Sequence, residues 1–283
     1  MSGLDIDLGQ PVEEAPEPQG PLWKRVGIWL WEVVTAWGPP IVIVLVIRSI
    51  LFEPFQIPSG SMVPTLAIGD FILVSKFAYG LRVPFTGIEI LPLGEPKRSD
   101  IVVFIYPPSQ SADPICWFKA LPKSATLGLL PGPECGLDYI KRIVGEPGDT
   151  IEVRDNLLFI NGREEPRTFE ADFAYTDNTC RAEPEQMRQY VELLEGRPHP
   201  VLQARGLMMG GISNYGPITV PEDHFFVMGD NRDNSADSRV WGFVPRENVR
   251  GKALLVWLSF DSCHGSIRGL GKLRTERIGT TLR

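Results

Sequence analysis

Ser61 lies in the run Ile57-Pro58-Ser59-Gly60-Ser61-Met62-Val63-Pro64-Thr65-Leu66, and Lys141 lies in Asp138-Tyr139-Ile140-Lys141-Arg142. A serine hydroxyl is a weak nucleophile and needs a base. Lysine can be that base only when neutral near pH 7, and burial among apolar groups favours the neutral form. Tyr139, Ile140, Ile143 and Val144 supply suitable walls. In a strand, Lys141 shares a face with Tyr139 and Ile143, while Ile140 and Arg142 point the other way. Together the two residues suggest a serine hydrolase that uses lysine rather than histidine. An ordinary strand lysine pointing to water is the competing account, and on the local sequence alone it is the stronger one.

The serine run also has two accounts. It is a plain Pro-Ser-Gly-Ser turn, or a sharp bend at Gly60 that exposes Ser61, whose N–H and the Ser59 hydroxyl then hold an oxyanion. The three histidines, His199, His224 and His264, form no motif with Ser61, although spacing leaves a histidine-based triad open. A third polar cluster runs Gly229-Asp230-Asn231-Arg232-Asp233-Asn234-Ser235-Ala236-Asp237-Ser238-Arg239. It alternates Asp and Asn as a calcium loop does. Yet Ser235 stands where such a loop needs glycine, and Trp241 where it needs glutamate. A loop this rich in acceptors better suits ordering a site through hydrogen bonds and an Asp–Arg pair.

The elements around these residues read as short strands. Phe71-Ile72-Leu73-Val74, Ile101-Val102-Val103-Phe104-Ile105 and Tyr139-Ile140-Lys141-Arg142-Ile143-Val144 are apolar, branched runs bounded by turn residues. Ile151-Glu152-Val153 alternates with a period of two. Residues 156–162 suggest a hairpin turning at Asn161-Gly162. His224-Phe225-Phe226-Val227-Met228 and Ala253-Leu254-Leu255-Val256-Trp257-Leu258 are late strands, whereas residues 163–214 are polar and poorly patterned. Helical periodicity is absent outside the N-terminal apolar segment, so the fold is expected to be mainly β. The basic stretch 268–283 reads as a solvated tail, with anionic lipid as an alternative contact.

Residues 1–25 contain an acidic, Pro-rich tail that cannot bury a core. Residues 26–52 are mostly apolar, interrupted by Glu32, Gly38-Pro39-Pro40 and Arg48. Taken from 33 to 52 they reach about 20 residues, enough to cross a hydrocarbon core. The prolines kink such a helix or mark its start. Lys24 and Arg25 before it argue for N-terminus in and C-terminal bulk out. A cleaved secretory signal and an amphipathic surface helix are the competing accounts. The net charge of -7, with no basic stripe, argues against nucleic acid as a partner. Cys116, Cys135, Cys180 and Cys263 form no CxxC pair. Disulfides, including a loop closed by Cys116 and Cys135, and four free thiols both remain open.

At these segments the chain resembles bacterial type I signal peptidases, the leader peptidases of peptidase family S26. The resemblance rests on 58–66, on Arg98-Ser99-Asp100-Ile101-Val102-Val103-Phe104, on Tyr139-Ile140-Lys141-Arg142 with 145–149, and on 229–239. Asn214-Tyr215-Gly216-Pro217 and Val220-Pro221 lead into the last of these. It implies an antiparallel β-sheet catalytic domain at 53–283, with a core at about 53–155 and 215–262 and an intervening part at 156–214. One N-terminal transmembrane helix would hold it on the outer face of the inner membrane. It further implies Ser61 as nucleophile, Lys141 as base, Ser59 as oxyanion support, Ser235 orienting the lysine, and Asp237 with Arg239 bracing that loop. Phe55, Ile57, Met62, Ile72, Tyr139 and Ile140 would line shallow pockets that admit only Ala-sized side chains. The implied partners are exported preproteins cut after a small-x-small motif, the lipid bilayer and the secretion translocon. No cofactor or metal is implied.

Two departures stand out. Better-known members often carry two N-terminal spans, and only one is credible here. Between Pro107 and Asp138 a long excursion replaces a short turn, and is read either as a disulfide-closed extension resting on the bilayer or as a self-packed loop. Three other readings compete. A self-cleaving Ser-Lys repressor needs a DNA-binding segment where the apolar run lies. A penicillin-binding enzyme needs Ser-x-x-Lys on one helix, but Pro64 follows Ser61 by three. A membrane-anchored β module without catalysis would be indifferent to Ser61 and Lys141.

Overall fold

The computed structural model describes residues 21–46, 51–82, 89–107, 137–176, 184–205, 212–261, 263 and 271–282. The excursion between Pro107 and Asp138 lies almost wholly outside the described residues, as do Cys116, Cys135 and Cys180. Cys263 is disulfide-bonded, which rules out four free thiols.

Leu22–Val46 is a continuous helix with Pro39 and Pro40 inside it, rather than broken or begun there. The helix begins at Leu22, before the expected start at 26, and a strand starts at Phe52, the last residue of the expected segment. No helix among the described residues is long and apolar enough to cross a membrane. The helix and the chain from Ile47 onward form separate compact units.

The second unit is mainly antiparallel β. Its largest sheet has eight strands, in the order Phe52–Gln56, Asp70–Ser75, Val249–Asp261, Ile101–Ile105, Asp138–Gly145, His224–Met228 and Val244–Pro245, with Lys272–Leu273 pairing on Val249–Asp261. Ile101–Ile105 is a continuous apolar run because it is central and buried on both faces. It pairs with the lysine strand, placing Val102 opposite Lys141 and Val103 opposite Ile140. Ile140 packs with Ile57, Met62, Ile72, Ile101 and Val103. Tyr139 and Ile143 pack with Val102 and Phe104 in a different cluster, as strand alternation requires.

Thr150–Arg154, Leu157–Ile160, Arg163–Glu164 and Tyr215–Thr219 form a second sheet. Its turn at Asn161-Gly162 has φ of 53° and 77°, the left-handed pair that a two-residue hairpin favours. The stretch that looks unpatterned contains a three-stranded sheet of Arg167–Tyr175, Glu185–Leu194 and Arg197–Ala204.

The described part of the basic C-terminal stretch, 271–282, is tied to the domain rather than a solvated tail. Arg277 reaches the buried Asp70 carboxylate at 2.6 Å and the Thr65 carbonyl at 3.0 Å. Arg274 donates to the carbonyl of Ile68 at 2.6 Å, and Leu282 joins the core around Met62. These residues close over the loop that carries Ser61.

Candidate active site

Ser61 lies on the loop joining Phe52–Gln56 to Asp70–Ser75. Ile57 N–H bonds the Asp70 carbonyl at 2.8 Å and Gly69 N–H bonds Ile57 at 2.9 Å, closing the base of the loop. Met62 and Leu66 are fully buried and hold its far side. Lys141 comes from the central sheet, eighty residues away in sequence, and its Nζ lies 2.7 Å from Ser61 Oγ. Nζ also bonds the Ile140 carbonyl at 2.9 Å and sits 5.6 Å from the centre of the Tyr139 ring.

Lys141 is only 4% exposed. Burial lowers its pKa from 10.5 to about 8, against the opposing pull of the Asp237 and Asp230 carboxylates. The ordinary solvated lysine is therefore excluded, and near neutrality an appreciable fraction is unprotonated. A neutral amine at hydrogen-bond distance from a hydroxyl can accept its proton.

The remaining expected residues divide. Asp237 and Arg239 form a buried pair, with Nε–Oδ1 at 2.9 Å and Nη2–Oδ2 at 2.8 Å. Asp237 also accepts the Gly229 N–H at 3.0 Å and caps the helical turn Ser238–Trp241. Burial alone would raise the Asp237 pKa, but Arg239 outweighs it and holds the carboxyl ionised. Ser235 lies on the same loop, two residues before Asp237. Its Oγ is buried without a hydrogen bond of good geometry, set against Gly229 and near the Asp237 carboxylate. Ser59 is exposed at the turn. The Ser61 N–H donates to no backbone carbonyl among the described residues.

Of the six apolar residues expected to line pockets, Ile57, Met62 and Ile72 are at most 2% exposed and act as core. Phe55 and Ile140 pack onto them while keeping some surface. Tyr139 keeps some surface as well, on the other cluster.

Several residues at the site lacked a sequence signal of their own. Arg142 clamps Asp230 with two bonds, Nε–Oδ1 at 2.9 Å and Nη2–Oδ2 at 2.8 Å, and donates to the Ser99 carbonyl at 3.0 Å. Thr65 Oγ1 donates to the same Asp230 carboxylate. The pair thereby ties the serine loop, the lysine strand and the polar loop together. Its signal was adjacency, since Arg142 follows Lys141 and Asp230 stands inside the polar cluster. The carboxylates of Asp230 and Asp237 are thus committed to arginines, and no group of acidic, histidine or cysteine side chains among the described residues converges to hold a metal.

Residues 30–258 match the family model described as signal peptidase, peptidase S26. The signal peptidase I of Pseudomonas aeruginosa is 39% identical over 241 residues, covering 78% of this chain and 70% of that protein. The signal peptidase I of Haemophilus influenzae is 38% identical over 248 residues, covering 81% and 70%. That of Aquifex aeolicus is 33% identical over 243 residues, covering 77% and 80%. A crystal structure of a signal peptidase I from Enterococcus faecalis V583 shares 25% identity over 56% of this chain and 96% of that one. Its TM-score of 0.25 is too low to bear on the fold. With a family model spanning most of its length and relatives this similar, the chain belongs to the signal peptidase family, peptidase S26.

Proposed function

We propose that this protein is a membrane-anchored serine endopeptidase that removes signal peptides from exported preproteins, with Ser61 as nucleophile and Lys141 as general base. One observation carries the reading: a buried lysine amine with its pKa brought to about 8 lies 2.7 Å from a serine hydroxyl. Neutral Nζ takes the Oγ proton as Oγ attacks the scissile carbonyl carbon. The carbonyl oxygen becomes an oxyanion facing the Ser61 N–H, with the Ser59 hydroxyl as second donor. The lysine ammonium returns its proton to the departing amine nitrogen, the C–N bond breaks, and an ester on Oγ remains. Water then attacks that ester, giving a proton to Nζ, and the proton passes to Oγ as the acid leaves.

The Asp237–Arg239 pair and the neighbouring Ser235 brace the loop that backs the dyad. Phe55 and Ile140 wall shallow pockets over Ile57, Met62 and Ile72, and Tyr139 borders the site beside Lys141, which fits cleavage after Ala-x-Ala because larger side chains overlap the walls. The relatives' shared description as signal peptidase I supports the substrate class.

Anchoring rests on the helix Leu22–Val46, which exposes Trp29, Trp31, Trp37, Ile41 and Ile43, and on the apolar sequence that continues to Phe52. The Cys263 disulfide fits an oxidising compartment and hence a peptidase domain, 53–283, on the periplasmic face of a bacterial inner membrane, near the translocon that delivers preproteins.

The test is incubation of the detergent-solubilised protein with a precursor bearing an Ala-x-Ala site, beside Ser61→Ala and Lys141→Ala. Cleavage after the second Ala by the parent alone is expected. Equal cleavage by all three would mean a contaminating protease, and none by a folded parent would favour a non-catalytic β module.

A further inference from the structure

We propose that Asn231 is a positioning residue that aims the oxyanion-binding N–H of Ser61. The proposal rests on Ser61 being the nucleophile, as argued above. Asn231 is fully buried and holds the serine loop at two consecutive carbonyls. Its backbone N–H donates to the Ser61 carbonyl at 3.0 Å. Its side-chain Nδ2 donates to the Gly60 carbonyl at 3.1 Å.

The second bond bears on the chemistry. The Gly60 carbonyl and the Ser61 N–H belong to one planar trans peptide, so they point in opposite directions and turn together. Pinning the carbonyl fixes the direction of the N–H. Val63 N–H donates to the same carbonyl at 3.2 Å. Two donors on the oxygen also polarise the amide, which strengthens the N–H as a donor to developing negative charge.

Asn231 is itself held fast. Leu202 N–H bonds the Asp230 carbonyl at 2.8 Å, and Arg232 N–H bonds the Leu202 carbonyl at 2.9 Å, so both neighbours are tied to a strand. Asn231 Oδ1 is buried without a hydrogen-bond partner among the described residues. Turning the amide over would set that oxygen against the Gly60 carbonyl, two acceptors face to face, so the donor orientation is the one imposed. On its other side the Gly60 peptide has no slack: a Cβ built on Gly60 would lie 2.0 Å from the Tyr175 hydroxyl.

The experiment compares the solubilised parent, Asn231→Leu and Ser61→Ala. Leucine keeps the size of asparagine and removes the donor. Complete loss of one oxyanion donor costs about 100- to 1000-fold in kcat, so misaiming one is expected to cost roughly 10- to 100-fold with KM little changed. The discriminating readout is a peptide boronate spanning the cleavage site, whose tetrahedral adduct on Ser61 Oγ carries the oxyanion charge. Its affinity should fall by the same factor as kcat. A peptide with a reduced CH2–NH bond at that position has no oxyanion and should bind the variant as it binds the parent. If Asn231→Leu does not fold, Asn231→Ser is measured instead.

Unchanged kcat overturns the proposal. So does a fall in kcat without a fall in boronate affinity, which would make Asn231 merely structural. Failure of the underlying reading looks different: the parent does not cleave, or Ser61→Ala cleaves as the parent does.

Discussion

Replacing Lys141 with methionine should abolish cleavage and, at neutral pH, stabilise the fold. The pKa of Lys141 is about 8 in the folded protein, against 10.5 for a solvated lysine. The unfolded chain therefore binds the proton more tightly, and below pH 8 folding must either strip it off or bury it charged. A gap of 2.5 pH units corresponds to about 3 kcal/mol of lost stability at pH 7. This cost is fully present below pH 8, shrinks to about 1 kcal/mol near pH 9.5, and vanishes above 10.5, where both states are neutral. Methionine has a similar length, keeps the apolar contacts and carries no charge. It forgoes the bonds of Nζ to Ser61 and Ile140, worth about 1 kcal/mol, leaving a net gain of about 2 kcal/mol at pH 7. The assay is urea unfolding followed by tryptophan fluorescence for parent and variant at pH 7 and pH 10.5. The difference between the two pH values is the sharper quantity, because packing changes cancel in it. A stability difference that does not move between pH 7 and pH 10.5 would refute the lowered lysine pKa, and with it the account of Lys141 as a base.

The same ionisation should govern catalysis. Since protonated Lys141 cannot accept a proton, kcat/KM is expected to fall about tenfold per unit below pH 8; a flat profile from pH 9 to pH 5 would rule lysine out. Gly229→Ala should disrupt the site directly, because the new Cβ would lie 2.5 Å from the Ser61 carbonyl oxygen and 2.3 Å from Ser235 Oγ. A loss of about 1–3 kcal/mol and roughly 100-fold in kcat is expected, read by melting and by precursor cleavage. Arg142→Met leaves the Asp230 carboxylate buried and unpaired and should cost about 3–5 kcal/mol in urea unfolding. The double variant with Asp230→Leu should lose less than the sum of the single changes.

The parts of the site that lie within one segment were legible in the sequence. The strands Ile101–Ile105 and His224–Met228 appeared as apolar runs with their observed bounds, and the Asn161-Gly162 turn appeared from its left-handed preference. What was not legible is what joins distant segments. Nothing near Lys141 showed that it would face Ser61 rather than water, since its desolvation comes from the serine loop and the polar loop closing over it. The tail misled because its arginines were read by charge alone, while the partner of Arg277, Asp70, is two hundred residues away. The sheet formed by 167–204 was hidden for another reason. Arg167–Tyr175 places Phe169, Ala171, Phe173 and Tyr175 at every second position, but most of the strand is exposed, and the polar residues around it obscure the alternation. A second signal was Glu195-Gly196, whose φ of 53° and 75° makes a tight hairpin turn.

That overlooked sheet is joined to the site. Its strands reach the polar loop through the Leu202 backbone bonds and through Ala204 N–H to Asp233 at 2.9 Å, and its Tyr175 abuts Gly60. At the junction Arg232 forms a two-bond pair with Glu192, both fully enclosed, with His199 Nε2 at 3.4 Å from the same carboxylate. Burial alone would raise the Glu192 pKa, yet the Arg232 guanidinium outweighs it and keeps the carboxyl ionised. Glu192→Gln keeps the shape and removes the charge, leaving a guanidinium buried beside Asn231 without its counter-ion. The expected cost is about 3–5 kcal/mol, with a fall in kcat because the strained segment is the one that holds Ser61. Melting and precursor cleavage measured on the same preparation check it. A variant that melts as the parent does would show that the sheet supports the loop through its backbone bonds alone. One that melts lower yet cleaves at the parent's rate, measured below its transition, would show that the pair stabilises the fold without positioning the nucleophile.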